Sequence, residues 1–348
     1  MIDTIPNLLE REAARIAELM DGASEGRGRC LTVVGPAGIG KTELLRSARA
    51  LAAANGRRVM SARGGELERE MPYGVARQLL EPVLRAMPDD ERDAVLAGAA
   101  SAARPALGLE FTETPSPTDS FAVLHGLYWL CTSIADQRSA VLFIDDAHWS
   151  DAQSLRWIDY LARRVAELPM LLVLAARPAE PGAQNELLET IANEPSASVF
   201  SLAPLSPESV GRMVAQELAH ADDAFSAACH RATGGNPFLV RELLRAARTD
   251  GLEPVAANAE QVCSLGSTAI AYSVLDRLAR QGSPPVALAE AVAILGVLHK
   301  EFIAHHRREL RGVCQERAQS LLESTRPPRP NRTAGRDRPT GPYGSAGS

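Results

Sequence analysis

The chain has 348 residues, of which 45% are hydrophobic and 23% charged, and this composition is typical of globular proteins with a large buried core. Its net charge of −6 argues against a chain-wide nucleic-acid surface, which would require clustered Lys and Arg. Five cysteines without a C-x-x-C pair, no secretory signal and no membrane-length apolar run predict a cytoplasmic protein with reduced thiols and no membrane partner.

The first half of the chain predicts alternating strands and helices. Apolar residues recur with helical period from Leu8 to Met20, so an amphipathic lead-in helix is expected there, ending at Gly22 to Arg29. Five short apolar runs separated by helical patterns follow, which is typical of a parallel sheet with crossover helices. These predicted strands are Leu31 to Val34, Arg58 to Ala62, Val141 to Asp145, Leu171 to Ala175 and Ser198 to Leu202.

A long helical interruption separates the second and third predicted strands. Its helices are expected at Tyr73 to Met87, Asp89 to Ala103 and about Asp119 to Ala135, with a Pro- and Thr-rich loop at Thr112 to Thr118.

Only helices are expected after the fifth strand, as far as about Val297. Ser206-Pro207-Glu208 is a helix start, with Ser as the cap and Pro at the first helical position. Breaks are expected at Gly234 to Pro237 and near Gly282 to Pro285. From about Ser324 the chain is rich in Arg, Pro, Gly, Ser and Thr, so residues 324–348 are predicted to be a disordered tail.

The strongest chemical signal is a phosphate-loop pattern, G-x-x-x-x-G-K-[ST], directly after the first strand. It consists of Gly35-Pro36-Ala37-Gly38-Ile39-Gly40-Lys41-Thr42. Its glycines let successive backbone N–H groups converge on phosphate oxygens at a helix N-terminus, where the helix dipole also favours anions. Lys41 is then expected to reach the β and γ phosphates and the Thr42 hydroxyl to ligate Mg²⁺. The alternative interpretation is a glycine turn that caps a helix.

Two adjacent acids at the end of the third strand supply the other half of such a site. Asp145 is the candidate magnesium ligand, directly or through water, alongside Thr42. Asp146 is the candidate for orienting or polarising the attacking water, a role that falls to Glu in related ATPases, and its shorter side chain is expected to slow hydrolysis. A solvated turn is the alternative interpretation of this pair.

Further polar residues follow the third and fourth strands. If the fourth strand lies between the first and third, Arg177 comes near the γ phosphate and acts as a sensor, the alternative being a surface ion pair. His148 is expected to hydrogen-bond the strand end or a second acid rather than to ligate a metal, and Trp149 to pack rather than to stack on a base. Asp151 is a candidate helix cap. Gly234 to Pro237 is consistent with a glycine C-cap followed by a new helix.

Taken together, these patterns resemble the signal-transducing ATPases with numerous domains (STAND), a branch near the AAA+ proteins. They are most similar to the Orc-like ATPase module of large LuxR-type ATP-binding transcriptional regulators. The resemblance spans roughly residues 8 to 297. The residues that carry it are Leu9 to Glu12, Gly35 to Thr42, Ala62 to Gly74, Asp145 to Asp151, Ala175 to Pro178 and Gly234 to Leu239.

The resemblance implies an α/β P-loop NTPase fold with strand order 5-1-4-3-2. It divides the chain into a lead-in helix (1–29), an ATPase domain (30–204), a helical lid (205–250), a partial winged-helix region (251–323) and the tail (324–348). It also implies that Pro237 approaches the adenine from the lid, so that lid position depends on whether ADP or ATP is bound.

The chain loses the family pattern after about Gly296, and it shows no recognition-helix signature to support DNA binding. A truncation or frame change in the coding sequence would produce such an abrupt shift. The expected function is a slow, Mg²⁺-dependent switch ATPase whose partners are ATP or ADP and either further copies of itself or a regulatory protein. The alternatives are a DNA-associated AAA+ initiator or loader and a nucleotide-binding scaffold without turnover.

Overall fold

A computed structural model of the chain describes residues 10–109, 117–178, 180 and 183–266. All of them belong to one compact unit, Met1–Ser273. A second unit, Val274–Ser348, lies outside the described residues. The break predicted near residues 282–285, most of the predicted winged-helix region and the predicted tail therefore also lie outside them.

A five-stranded, fully parallel sheet forms the centre of the fold, in the order β2-β3-β4-β1-β5. This order confirms the predicted 5-1-4-3-2 arrangement, since it is the same sequence of strands counted from the opposite edge. β4 therefore lies between β1 and β3. The strands are β1 (Arg29–Val34), β2 (Arg58–Arg63), β3 (Ala140–Asp145), β4 (Met170–Ala176) and β5 (Ala197–Ser201).

Helices cover both faces of the sheet, because its central strands are apolar on both sides. Every residue of β3 and β4 is buried. Alternate residues belong to two separate cores, with Leu142 and Leu172 in one and Phe143 and Val173 in the other. The surrounding helices are α1 (Glu10–Ser24), α2 (Lys41–Ala54), α3 (Gly74–Ala86), α4 (Asp89–Val95), α5 (Pro117–Gln137), α6 (Ala152–Ala162) and α7 (Asn185–Ala192).

The helix predicted over Asp89 to Ala103 is wrong as a single element. The chain instead forms α4, which ends at Val95, and then a 3₁₀ turn over Gly98–Ala103. Gly98 has a φ of 60°, which belongs to the left-handed region and cannot continue a right-handed helix. The glycine thus prevents one continuous helix, although the apolar spacing of the sequence continues across the break.

Asp151 caps two helices from one buried position. Its carboxylate accepts the backbone N–H of Ser154 at 2.8 Å, which confirms the predicted cap of α6. It also accepts the N–H groups of Tyr73 at 2.9 Å and Val75 at 3.2 Å, at the start of α3. Because β2 leads into α3 and β3 leads into α6, this side chain ties the connections after two neighbouring strands together.

Among the described residues after β5, three helices and Val262 share a third apolar core, and we call residues 207–249 the three-helix segment. Ser206 caps the first of them, as predicted, and Gly234 ends the second in the left-handed conformation. Asn236 caps the third, with Pro237 at its first position. They are α8 (Pro207–Glu217), α9 (Asp223–Thr233) and α10 (Pro237–Thr249). Of the helices in the described part of the chain, none has both the length and the apolar character that crossing a membrane requires.

Candidate nucleotide site

The predicted phosphate loop connects β1 to α2 at the carboxyl edge of the sheet. Gly38 and Gly40 have φ angles of 76° and 108°, which side chains rarely permit. α2 begins at Lys41, and no described side chain caps its N-terminus. Its first N–H groups are therefore available to an anion in the loop.

Lys41 lies inside this loop and is only 6% exposed. Its ammonium donates hydrogen bonds to the carbonyl oxygens of Gly35 at 2.7 Å and Pro36 at 2.9 Å. The pKa of Lys41 is lowered from 10.5 to about 8, mainly by burial and then by the positive charge of Arg177. Asp146, Asp145 and Glu180 act in the opposite direction. These charges therefore lie close enough to the ammonium to influence its titration.

The two acids predicted at the end of β3 are both buried, which does not fit a solvated turn. Asp145 is 6% exposed, and its Oδ1 accepts the backbone N–H of Asp146 at 3.0 Å. Its Oδ2 accepts no hydrogen bond from the described residues. Asp146 has a φ of 47°, a left-handed backbone conformation in which the chain turns sharply after Asp145.

Arg63 holds the Asp146 carboxylate, a contact that the sequence did not predict. The guanidinium donates from Nε at 3.0 Å and from Nη2 at 2.8 Å to the same oxygen, Asp146 Oδ2. Arg63 is the last residue of β2 and lies opposite Asp145 in the parallel register. The pair raises the pKa of Arg63. The other carboxylate oxygen, Asp146 Oδ1, accepts no hydrogen bond from Arg63.

His148 and Arg177 connect the acids to β4. The backbone N–H of Arg177 donates to His148 Nδ1 at 3.4 Å, so His148 bonds the strand end, as predicted. Burial lowers the pKa of His148 to about 4, which keeps the imidazole neutral at pH 7. Its Nε2 atom is buried, has no hydrogen-bond partner among the described residues, and lies 4.0 Å from Asp146 Oδ1. The Arg177 side chain pairs with Glu180 at 3.5 Å.

A cavity of about 920 Å³ opens beside these residues. Its lining includes Arg63, Asp146, Trp149 and Arg177. Trp149 also packs against the His148 ring, with the ring centroids 5.3 Å apart. The Asp146 carboxylate therefore lies between this cavity and the buried His148.

The start of α10 contacts the phosphate loop directly. The side-chain amide of Asn236 donates to the Ala37 carbonyl at 3.1 Å, and the Phe238 N–H donates to the Gly38 carbonyl at 3.2 Å. Pro237, the predicted adenine contact, is buried between these two residues. The structure thus brings the predicted loop and Pro237 together.

The described residues fit a magnesium-bound nucleotide. Thr42 is exposed at the start of α2, and the free Asp145 Oδ2 is the kind of oxygen ligand that Mg²⁺ prefers. The Lys41 ammonium can donate three hydrogen bonds and donates two of them to loop carbonyls. Phosphate oxygens can replace these carbonyls as acceptors. The sequence prediction missed the contact of Arg63 with Asp146 and the contact of Asn236 with the phosphate loop. It also did not identify the buried Nε2 atom of His148. Strand register could have suggested Arg63, but only after the strand order was known.

The chain is similar to a known protein family, to a curated protein and to several solved structures. Residues 8–174 match the model of the family described as AAA ATPase domain. An uncharacterised protein of Rhizobium meliloti (strain 1021) is 25% identical over 316 residues, and the match covers 82% of this chain but 29% of that protein. The chain therefore spans less than a third of that relative's length.

Three solved structures that resemble this chain have TM-scores below 0.5. A Walker-type ATPase of Pyrococcus abyssi is 16% identical with a TM-score of 0.46, covering 78% of this chain and 75% of its own. Cdc6p of Pyrobaculum aerophilum is 13% identical with a TM-score of 0.46, covering 87% and 85%. A STAND protein with a tetratricopeptide repeat sensor from Pyrococcus horikoshii is 15% identical with a TM-score of 0.44, covering 89% and 45%. Residues 8–174 of this chain are therefore similar to the AAA ATPase domain.

Proposed function

We propose that this chain is an ATP-binding, Mg²⁺-dependent switch ATPase that hydrolyses ATP slowly. The observation that carries the proposal is the convergence of Lys41, Asp145, Asp146 and Arg177, from three different strand ends, at one edge of the sheet. Ligands of open parallel sheets collect at this edge. A buried ammonium with a lowered pKa beside two buried carboxylates is a typical arrangement of a functional site.

Each residue has a role that follows from its chemistry. The loop from Gly35 to Thr42 would bind the phosphates through backbone N–H groups, and Lys41 would neutralise the β and γ oxygens. Thr42 and Asp145 would hold Mg²⁺, which would stabilise the negative charge that develops on the phosphate oxygens.

Asp146 is the residue we assign to the attacking water. Its Oδ2 is held by Arg63, so Oδ1 is the oxygen that can accept a proton or a hydrogen bond from the water. The nearby neutral His148 would help to fix this carboxylate, because its Nδ1 accepts a hydrogen bond and the ring proton therefore lies on Nε2. Arg177 would contact the γ phosphate and exchange its 3.5 Å pairing with Glu180 for that contact.

The regulatory part of the proposal concerns the three-helix segment. Pro237 would contact the adenine, so bound ADP and bound ATP would favour different positions of these helices. The motifs shared with LuxR-type regulators support a switch that controls a larger protein, in which nucleotide exchange carries the signal and hydrolysis resets it. No observation on the described residues favours the alternative of a DNA-associated initiator or loader.

The proposal is tested by separating binding from turnover. Lys41→Ala should weaken ATP binding roughly a hundredfold, because a charge-assisted contact to phosphate is lost inside a buried site. Asp146→Asn should bind ATP normally and slow single-turnover phosphate release by about 100-fold or more. Arg46→Ala is the matched control, since it removes an exposed positive charge from the same helix.

Unchanged ATP affinity in Lys41→Ala, measured by calorimetric titration, would remove the central assignment. Normal ATP binding without phosphate release in the unmodified protein would instead support the non-hydrolysing scaffold. ATP-dependent retention of DNA in a low-salt gel shift would support the initiator or loader.

A further inference from the structure

We propose that Asn236 is a positioning residue that makes the three-helix segment respond to phosphate in the loop, independently of the adenine. The two atoms of its side-chain amide face different elements. Oδ1 accepts the backbone N–H groups of Phe238 at 3.0 Å and Leu239 at 3.3 Å, which caps α10. Nδ2 donates to the Ala37 carbonyl at 3.1 Å, across a separation of 199 residues.

A second contact runs in parallel with the first. The Phe238 N–H is shared between Asn236 Oδ1 and the Gly38 carbonyl, which it reaches at 3.2 Å. A Cβ atom at Gly38 would lie 2.8 Å from Phe238 Cβ and 3.0 Å from Asn236 Oδ1. The absence of a side chain at Gly38 therefore also permits the close approach of α10.

The coupling follows from the rigidity of the peptide plane. The Ala37 carbonyl belongs to the same planar unit as the Gly38 N–H, and the Gly38 carbonyl to the same unit as the Ile39 N–H. A phosphate that accepts from these N–H groups fixes the direction of both carbonyls. It also polarises both peptide units, which strengthens their carbonyls as acceptors. Phosphate binding is thereby expected to tighten the contact between the loop and α10.

This inference rests on the proposed function, because it needs phosphate in the loop, but it concerns a different contact from the one assigned to Pro237. Magnesium pyrophosphate distinguishes the Asn236 contact from the Pro237 contact, since it carries phosphates and no adenine. Coupling must also be reciprocal, so that release of α10 from the loop weakens pyrophosphate binding.

The experiment is amide hydrogen–deuterium exchange on the full chain with and without magnesium pyrophosphate. In the unmodified protein, pyrophosphate should slow exchange both in the loop (35–42) and in α10 (237–249), the latter by roughly fivefold, at the lower end of measured allosteric coupling. Asn236→Asp keeps the capping oxygen but replaces the donor by an oxygen facing the Ala37 carbonyl. It should keep the loop response and lose most of the α10 response.

Two further variants make the result specific. Asn236→Ser also keeps a capping oxygen and should behave like Asn236→Asp, which covers the case in which the carboxylate disturbs folding. Ser206→Ala removes the cap of α8 within the same segment and should leave the α10 response intact.

The outcomes distinguish the inference from the proposed function. Loop protection without any α10 response in the unmodified protein overturns the inference alone, as does an unchanged α10 response in both Asn236 variants. If neither pyrophosphate nor ATP protects the loop, the proposed function fails and the inference fails with it.

Discussion

Nucleotide affinity should fall as the pH rises above 8, because the empty site keeps Lys41 at a pKa of about 8 instead of 10.5. A bound triphosphate favours the ammonium form and raises this pKa again, so binding above pH 8 must be accompanied by proton uptake. With a pKa of 8 in the empty protein, about one Lys41 in ten is neutral at pH 7 and about ten in eleven at pH 9. The dissociation constant of ATP should therefore rise roughly tenfold between pH 7 and pH 9, since one pKa unit corresponds to a factor of ten.

The assay is calorimetric titration of ATP at several pH values in buffers of different ionisation enthalpy. The dependence of the heat on the buffer counts the protons taken up, which should approach one per site at pH 9. Lys41→Arg is the control, because a guanidinium does not titrate in this range and any residual affinity should be independent of pH. A flat profile for the unmodified protein, or proton release instead of uptake, would refute the reasoning.

Three further predictions concern stability and are measured by chemical denaturation. Asp151→Ala should lower the free energy of unfolding by about 3 kcal/mol, since its buried carboxylate accepts N–H groups from two helices. Ser206→Ala removes a single cap and should lower it by about 1 kcal/mol. Equal losses would contradict the double cap. Arg63→Ala should cost about 1–2 kcal/mol because it leaves a buried carboxylate without its partner, against less than about 0.5 kcal/mol for Arg15→Ala in an exposed pair. Gly38→Ala should cost about 2 kcal/mol, from the left-handed φ and the close approach of α10 together. If Gly38→Ala leaves the free energy of unfolding unchanged, the loop and α10 are not held as described.

The sheet could be predicted because its signal is local. Each strand is a short apolar run with turn residues on both sides, and β3 and β4 are buried on both faces, so their sequences contain few polar residues. The break between α4 and the following 3₁₀ turn could not be predicted from the sequence, since the apolar spacing continues across it. Only the backbone conformation at Gly98 shows that the helix ends before that residue.

The acids of the site were predicted for the same local reason, and their partner was not. Asp145 and Asp146 follow an apolar strand, a pattern that is visible in one stretch of sequence. Arg63 lies 83 residues from Asp146 and reaches it only because β2 pairs with β3 in a register that places Arg63 opposite Asp145. A salt bridge of this kind is set by strand order and register, which one sequence constrains weakly.

Asn236 shows how a correctly predicted helix start can still miss a long-range contact. The sequence predicted a helix start here without giving Asn236 a role, and in the structure the side-chain oxygen of Asn236 caps α10. Capping uses only the oxygen of the amide. Asp also caps well but has no donor, and in Ser or Thr the single hydroxyl would have to cap and donate at once, whereas the amide has a separate nitrogen for a second contact. Here the Nδ2 atom donates to the Ala37 carbonyl, a contact that no local pattern around residue 236 indicates.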